Sequence, residues 1–483
     1  MVRWLVGLLM LAVVAIGALY VVAGRGAPPG LVIVKPDRLV GQEGTLEISV
    51  EGPRPTTLAI TLQQDGRDVP LFTLDAPQSA VVTPGQTGAV LHIVRPFGKQ
   101  GVPELHQGAG RIVVQASRPS LLNLRTLSSS VAKDIDVRLE PPRVAVVSTH
   151  HYVNHGGSEM VVYRVTPPDV ASGVRVGALE YPGYPAKGAG IANADASLKV
   201  AFFALLPEQP LSAPVAVFAR DEAGNEATAS FVNDVFKKPF KKSRIELDDR
   251  FLQRVVPEIL RHSPELKLGP TESAAVKLGP TESGAVKLGP TESGDLLPGF
   301  LRINGDLRQL NAARIAELTD ATSASILWNG PFVQLGNSQV EARFADQRTY
   351  LYRGKVVDQQ VHLGFDLAVT SAVSVVAANA GKVINANWLG IYGNCVVIDH
   401  GMGVASLYGH LSWIDVKVGD SVAKGQVIGK SGMTGLAGGD HLHFTMLVHG
   451  QPVNPVEWWD SHWIQDRIER KLREAGGSPI AVR

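Results

Sequence analysis

His362-Leu-Gly-Phe-Asp366, then a lone His410, then His441-Leu-His443-Phe444 decide how this chain is read. Catalytic zinc sites take three protein ligands from His, Asp, Glu or Cys and keep a fourth position open for water. Five such side chains stand in these three stretches, so three can bind a metal ion and two remain for acid–base work. Gly364 argues against a helix, so His362 and Asp366 straddle a strand end or a tight bend. Strand alternation puts His441 and His443 on one face, with Leu442 and Phe444 on the other. Residue types and spacing therefore predict a zinc site with metal-dependent hydrolase chemistry.

Around these motifs the pattern is glycine-punctuated β structure. Gly381-Lys-Val-Ile-Asn385, residues 395–399, residues 404–407 and Gly425-Gln-Val-Ile-Gly429 read as strands, as do Pro331-Phe-Val-Gln-Leu-Gly336 and Arg348-Thr-Tyr-Leu-Tyr-Arg353. The segment 416–429 resembles the hairpin of lipoyl and biotinyl carrier domains, but no Met-Lys-Met tripeptide offers an acceptor lysine, so shared β geometry suffices. Cys395, the only cysteine, sits in Asn394-Cys395-Val396-Val397-Ile398 and reads as a core side chain rather than a nucleophile. One cysteine also excludes a disulfide framework and any thiolate zinc site. His400 falls at a strand-to-turn junction and takes a framework role; His449 and His462 read as surface residues. Trp458, Trp459 and Trp463 read as packing. Ile464, Ile468 and Leu472 recur at four-residue spacing, predicting a closing amphipathic helix and tail over 461–483.

The chain of 483 residues is too long for one core, and its 45% apolar and 19% charged residues describe an ordinary globular, multidomain protein. A formal net charge of +1 gives no electrostatic case for a nucleic-acid partner. Residues 4–23 form an apolar run flanked by Arg3 and Arg25, about the length of a bilayer core. Val21-x-Ala23 also fits a cleavage site, yet the length favours an uncleaved signal anchor over 1–26. The expectation is a single-pass inner-membrane protein with its bulk in the periplasm or extracytoplasmic space. Leu46-Glu-Ile-Ser-Val50 and Leu58-Ala-Ile-Thr-Leu62 alternate as half-buried strands do, and a second strand set follows Pro141-Pro142. Two β-sandwich-like modules are expected, at 27–140 and 141–236, the second closing on a hairpin that turns at Ala223-Gly-Asn225 and resembles bacterial immunoglobulin-like domains. His150, His151 and His155 lack a nearby carboxylate and read as a surface loop. Over 237–318 the period becomes helical, with Asp248 or Asp249 as N-cap and Pro257 kinking or ending the first helix. A second helical pattern runs through Leu301, Leu307, Leu310, Ile315 and Leu318. Between the two lies a ten-residue tandem repeat (267–294), read as an expanded loop.

His362-Leu-Gly-Phe-Asp366, Tyr408-Gly-His-Leu411 and Gly439-Asp-His-Leu-His-Phe444 together resemble the three motifs of the M23 (LytM/lysostaphin-type) zinc metallopeptidases. Asp399-His-Gly-Met-Gly403 and residues 418–429 match the framework of that family, and the likeness covers roughly residues 330–460. It implies an antiparallel-β peptidase domain at 319–460, one zinc ion per chain held by His362, Asp366 and His443, and a catalytic pair of His410 and His441. It also implies an endopeptidase acting on peptidoglycan stem peptides or cross-links. The competing class is an M23-like domain that regulates or scaffolds another wall hydrolase. Such members generally lack metal or catalytic residues, whereas all five are present here. Oligomeric state is not legible.

Overall fold

The computed structural model describes residues 2–23, 26–75, 80–84, 89–120, 123, 125–232, 234–266 and 296–476. The tandem repeat over 267–294 lies outside the described residues. Strands dominate and helices are few. The chain forms two compact units, residues 1–143 with 220–227 and residues 144–219 with 228–483.

The apolar N-terminal run forms a helix, α1 (Val2–Ala23). Among the described residues, however, no helix is long and apolar enough to cross a membrane. The expected transmembrane anchor and inner-membrane placement are corrected on that ground. Beyond it the first unit is a sandwich. One sheet orders Gly30–Lys35, Thr45–Glu51, Ala89–Pro96 and Val81–Pro84; the other orders Leu39–Val40, Arg125–Val137, Gly108–Ser120, Thr57–Gln64 and Arg67–Thr73. Alternation does what period two demands: Leu46, Ile48 and Val50 from one sheet and Leu58, Ile60 and Leu62 from the other share one core, while Glu47 and Ser49 turn away.

Two further four-stranded sheets form the second β module, with the expected hairpin present as Val215–Arg220 and Glu226–Ser230, of which residues 220–227 count with the first unit. The module shares a continuous apolar core with the C-terminal region, running from Val153 to Leu472. Trp458 is wholly buried against Phe202, Trp328 and Phe332, and its indole N–H donates to Ser158 Oγ at 3.1 Å. His151 is buried as well, not on a surface loop: its ring lies 2.9 Å from Ser148 Oγ and edge-on to Phe231. His449 is likewise half-buried, stacked flat on Tyr184 with ring centroids 5.8 Å apart.

Helix α2 (Asp249–His262) starts at Asp248, whose carboxylate accepts the Phe251 N–H at 2.7 Å. Pro257 does not end it. Proline removes the bond to the Gln253 carbonyl, but both residues lie on the exposed face, away from the packed side, and the helix runs on to His262. Leu252, Val255, Val256 and Ile259 recur at i, i+3, i+4 and i+7 and are buried, packing with Phe300, Ile303 and Leu307. These last three come from a second helical run, Leu296–Arg302, Ile303–Leu307 and Arg308–Asp320.

The C-terminal region is built on an antiparallel eight-stranded sheet. Its order is Gln339–Ala342, Phe365–Ala368, His441–Val448, Val404–Leu411, Asn394–Gly401, Gly381–Trp388 and Ser421–Val422, with Gln451–Val453 added beside His441–Val448. Residues 331–336, expected as a strand, are irregular: the Pro331 carbonyl accepts from the Lys424 side chain, and the Phe332 and Val333 N–H groups donate to two separate segments, at Trp458 and Ala378, rather than to one neighbouring strand. Every residue of Val404–Leu411 and of His441–Val448 is buried. Polar side chains on such strands require partners, and these two strands carry Ser406, His410, His441, His443 and Thr445.

Candidate metal centre and active site

His362 ends the strand Lys355–His362, Gly364 makes the bend, and Asp366 lies on the next strand, opposite His443 in register. A side chain at Gly364 would meet the His443 ring within 2.6 Å, so the bend needs glycine. His362 Nε2, Asp366 Oδ1 and His443 Nδ1 converge at 2.9, 3.0 and 3.1 Å from one another. Hydrogen bonds behind the rings decide what converges. His362 Nδ1 donates to the Arg343 carbonyl at 3.2 Å, leaving Nε2 bare. Thr445 Oγ1 donates to the Leu363 carbonyl and so accepts from His443 Nε2 at 3.0 Å, leaving Nδ1 bare. Three lone pairs therefore face one point, and only a cation or a shared proton reconciles them.

Three ligands at about 2.0–2.1 Å from a tetrahedral ion would stand roughly 3.3 Å apart, so the donors fit after shifts of a few tenths of an ångström. They form a metal-ligand group among the described residues. Two imidazoles and one carboxylate, with the outer ring nitrogens already bonded, are a zinc donor set. The cofactor that this set fits is zinc.

The other two histidines adjoin it. His410 Nδ1 donates to the Thr434 carbonyl at 2.8 Å and His441 Nδ1 to the Gly439 carbonyl at 2.8 Å, so both turn Nε2 away from the loop that carries those carbonyls. Their ring centroids are 4.8 Å apart, and His441 Nε2 lies 3.5 Å from Asp366 Oδ1. Burial pushes Asp366 up, but the facing histidines, His362 first, outweigh it and hold the carboxyl well below its usual range. Burial, with His441 and His443 beside it, keeps His410 well below the ordinary imidazole value. His441 is drawn the other way: burial lowers it, and the Asp366 carboxylate more than reverses that.

All five residues singled out in the sequence thus meet in one place. Four partners, Thr445 among them, were not anticipated. Arg348 donates to Asp366 Oδ2 at 2.8 Å, bracing the carboxylate from the far side. Tyr392 lies with its ring 5.3 Å from that of His443, and Thr434 carries the carbonyl that orients His410. A signal existed for Thr445, two residues past His443 on the same strand face. Arg348 was within reach only through the pairing of Asp346 with His362 across the Gly354 turn. Cys395 and His400 stay out of the site: the thiol is fully buried, and His400 Nδ1 donates to the Ala380 carbonyl at 2.7 Å. His462 is exposed.

Comparison with known proteins finds relatives for this part of the chain. The profile of peptidase family M23 matches residues 360–455. The DD-carboxypeptidase/endopeptidase Mpg of Neisseria meningitidis is 42% identical over 97 residues, 20% of this chain and 22% of that protein. The peptidoglycan DD-endopeptidase ShyA of Vibrio cholerae is 42% identical over 96 residues, again 20% and 22% of the two lengths. The chain thus spans about a fifth of the length of these relatives. A zinc-containing peptidase from Vibrio cholerae is a structural neighbour at 35% identity and TM-score 0.24, covering 27% of this chain and 39% of that one. This chain carries, towards its C-terminus, a peptidase family M23 domain.

Proposed function

We propose that the protein is a zinc metalloendopeptidase that hydrolyses peptide cross-links of peptidoglycan. The observation that carries the reading is the convergence of three bare donors, 2.9–3.1 Å apart, beside two further histidines, each anchored through Nδ1. His362, Asp366 and His443 hold the ion, and His410 and His441 are the catalytic pair. Zinc bound there supplies Lewis-acid chemistry, acidifying water and polarising a carbonyl. His410, kept neutral by burial, accepts the proton that water gives up as its oxygen bonds to the amide carbon. His441, drawn toward its charged form by Asp366, carries a proton on Nε2 as well and donates it as a hydrogen bond to the carbonyl oxygen as charge develops there. The C–N bond breaks, and the departing nitrogen takes the proton back.

Peptidoglycan as substrate draws on the named relatives, which match only the C-terminal part. The accompanying division into modules 27–140, 141–236, 237–318, 319–460 and 461–483 belongs to the same reading, with the upstream modules carrying the peptidase domain. The test is digestion of purified peptidoglycan by the full chain, with mass spectrometry of the products. Release of fragments with a new amine and a new carboxylate at a cross-link supports the reading. Zinc binding with no release would favour the regulatory alternative.

A further inference from the structure

Helix α2 lies outside the segment that matches family M23, yet it touches both loops that border the histidine pair. Its buried face packs with Ile391, and Tyr392 and Leu436 join the same cluster. At its C-terminal end His262 stacks on Trp388, ring centroids 4.3 Å apart. The most directed contact is polar. Arg254 donates from one guanidinium nitrogen to the Met433 carbonyl at 3.3 Å and from the other to the Ala437 carbonyl.

Those two carbonyls belong to the loop 431–440, which does more than connect strands. Its Thr434 carbonyl fixes His410 Nδ1, its Gly439 carbonyl fixes His441 Nδ1, and its Gly432 carbonyl accepts the His441 backbone N–H at 3.0 Å. The Nδ1–H bonds and aim of both catalytic histidines therefore depend on where this loop sits. Glycines at 432, 435, 438 and 439 leave it little stiffness of its own. Thr434 Oγ1 and the Leu436 N–H tie down its middle, to the Leu411 and Ile391 carbonyls. On the α2 side Leu436 packs into the α2 cluster, and the rest of the loop borders an open cleft. A cleft of about 680 Å³ lies beside helix and loop there, lined by Arg254, Arg261, Met433, Thr434 and Asp440. The Arg254 fork ties helix to loop there.

We propose that Arg254 is a positioning residue of the active site: anchored on α2, its guanidinium holds the 431–440 loop so that the Thr434 and Gly439 carbonyls hold His410 and His441 by Nδ1, with Nε2 turned away from the loop. The proposal rests on reading those histidines as the catalytic pair. The planar fork suits the task, each outer nitrogen meeting one of two carbonyls four residues apart.

The experiment compares the full chain with Arg254→Met, Arg254→Lys and Leu252→Ala for zinc content, kcat, KM and thermal unfolding. Leu252→Ala loosens the packing of α2 but leaves the fork in place. Arg254→Met is expected to lower kcat about tenfold or more, as a small misplacement of reacting groups does. KM should stay within about twofold and zinc content should not change, since the ion's ligands lie elsewhere. Lysine should restore part of the loss. Leu252→Ala should lower the unfolding temperature while kcat, measured where the chain is folded, holds. Unchanged kcat in Arg254→Met overturns the proposal, as does a loss of the same size in Leu252→Ala or a change confined to KM. If the wild type cleaves nothing, the peptidase reading fails by itself, and the clamp is judged by imidazole ¹⁵N shifts. Loss of the Nδ1–H hydrogen bonds of His410 and His441 in Arg254→Met upholds it, and unaltered hydrogen bonds overturn it.

Discussion

His400 shows how a polar side chain earns its place inside this sheet. Its Nδ1 donates to the Ala380 carbonyl at 2.7 Å, its Nε2 lies 2.7 Å from Ser406 Oγ, and that oxygen is 2.9 Å from the Tyr408 hydroxyl. Burial pulls its pKa down to about 4, so the ring is neutral across the physiological range. Substituting His400→Leu strands the Ala380 carbonyl and should cost about 1–3 kcal/mol. Denaturant unfolding would show this, with zinc content of the folded variant unchanged. The framework role was legible from the position of His400 at a strand-to-turn junction, as were the five site residues from their three motifs. What backs them was less legible. Thr434 and Arg348 act on residues far away in the chain, and no periodicity reports such a partner. His151 and His449 were misread for the same reason: the rings that cover them, Phe231 and Tyr184, come from other segments.

At the scale of elements, the closing helix was readable from Ile464, Ile468 and Leu472, all of which are buried. Lys471 beside them was not. Its ammonium lies 2.7 Å from Glu159 Oε1 and 2.9 Å from the Met160 carbonyl, with both charged side chains wholly inaccessible. Arg467 Nη1 stands 3.6 Å from the other Glu159 oxygen. Burial pushes Glu159 up and Lys471 down, so desolvation outweighs their attraction. Replacing Lys471→Met alone leaves a buried carboxylate without its main partner and should cost about 3–5 kcal/mol, whereas adding Glu159→Gln should recover most of it. A double-mutant cycle by chemical denaturation measures both. Helix α2 teaches the complementary lesson: its apolar spacing fixed where it forms, but that it runs past Pro257, on its exposed face, appears only in three dimensions.

In the whole second unit, modules that look separate in sequence share one core. Strand patterns say which face is apolar and never what covers it. The seam holds Glu457, which accepts from Asn154 Nδ2 at 2.7 Å and from the Ser158 N–H at 2.7 Å. Burial raises its pKa to about 7. A carboxyl whose folded pKa is raised is stabilising below its unfolded value, about 4.5, and that stabilisation is lost as pH rises through about 7, a difference of roughly 3 kcal/mol. Glu457→Gln cannot ionise, so it should unfold at a higher temperature than wild type at pH 8 and at nearly the same temperature at pH 5. An equal difference at both pH values would contradict the assignment. Residues 319–483 alone would expose the Trp458 face that Phe202 and Ser158 cover. That fragment should therefore unfold well below residues 144–483 in a calorimetric scan.

The central claim is that His362, Asp366 and His443 hold zinc while His410 and His441 perform the proton chemistry. Zinc content and cross-link release, measured together on the wild type, His443→Ala and His441→Ala, test it most directly. The account predicts about one zinc per chain and release for the wild type, zinc without release for His441→Ala, and neither for His443→Ala. A wild type without zinc, a His443→Ala chain that keeps its zinc, or a His441→Ala chain that cleaves at the wild-type rate would contradict it.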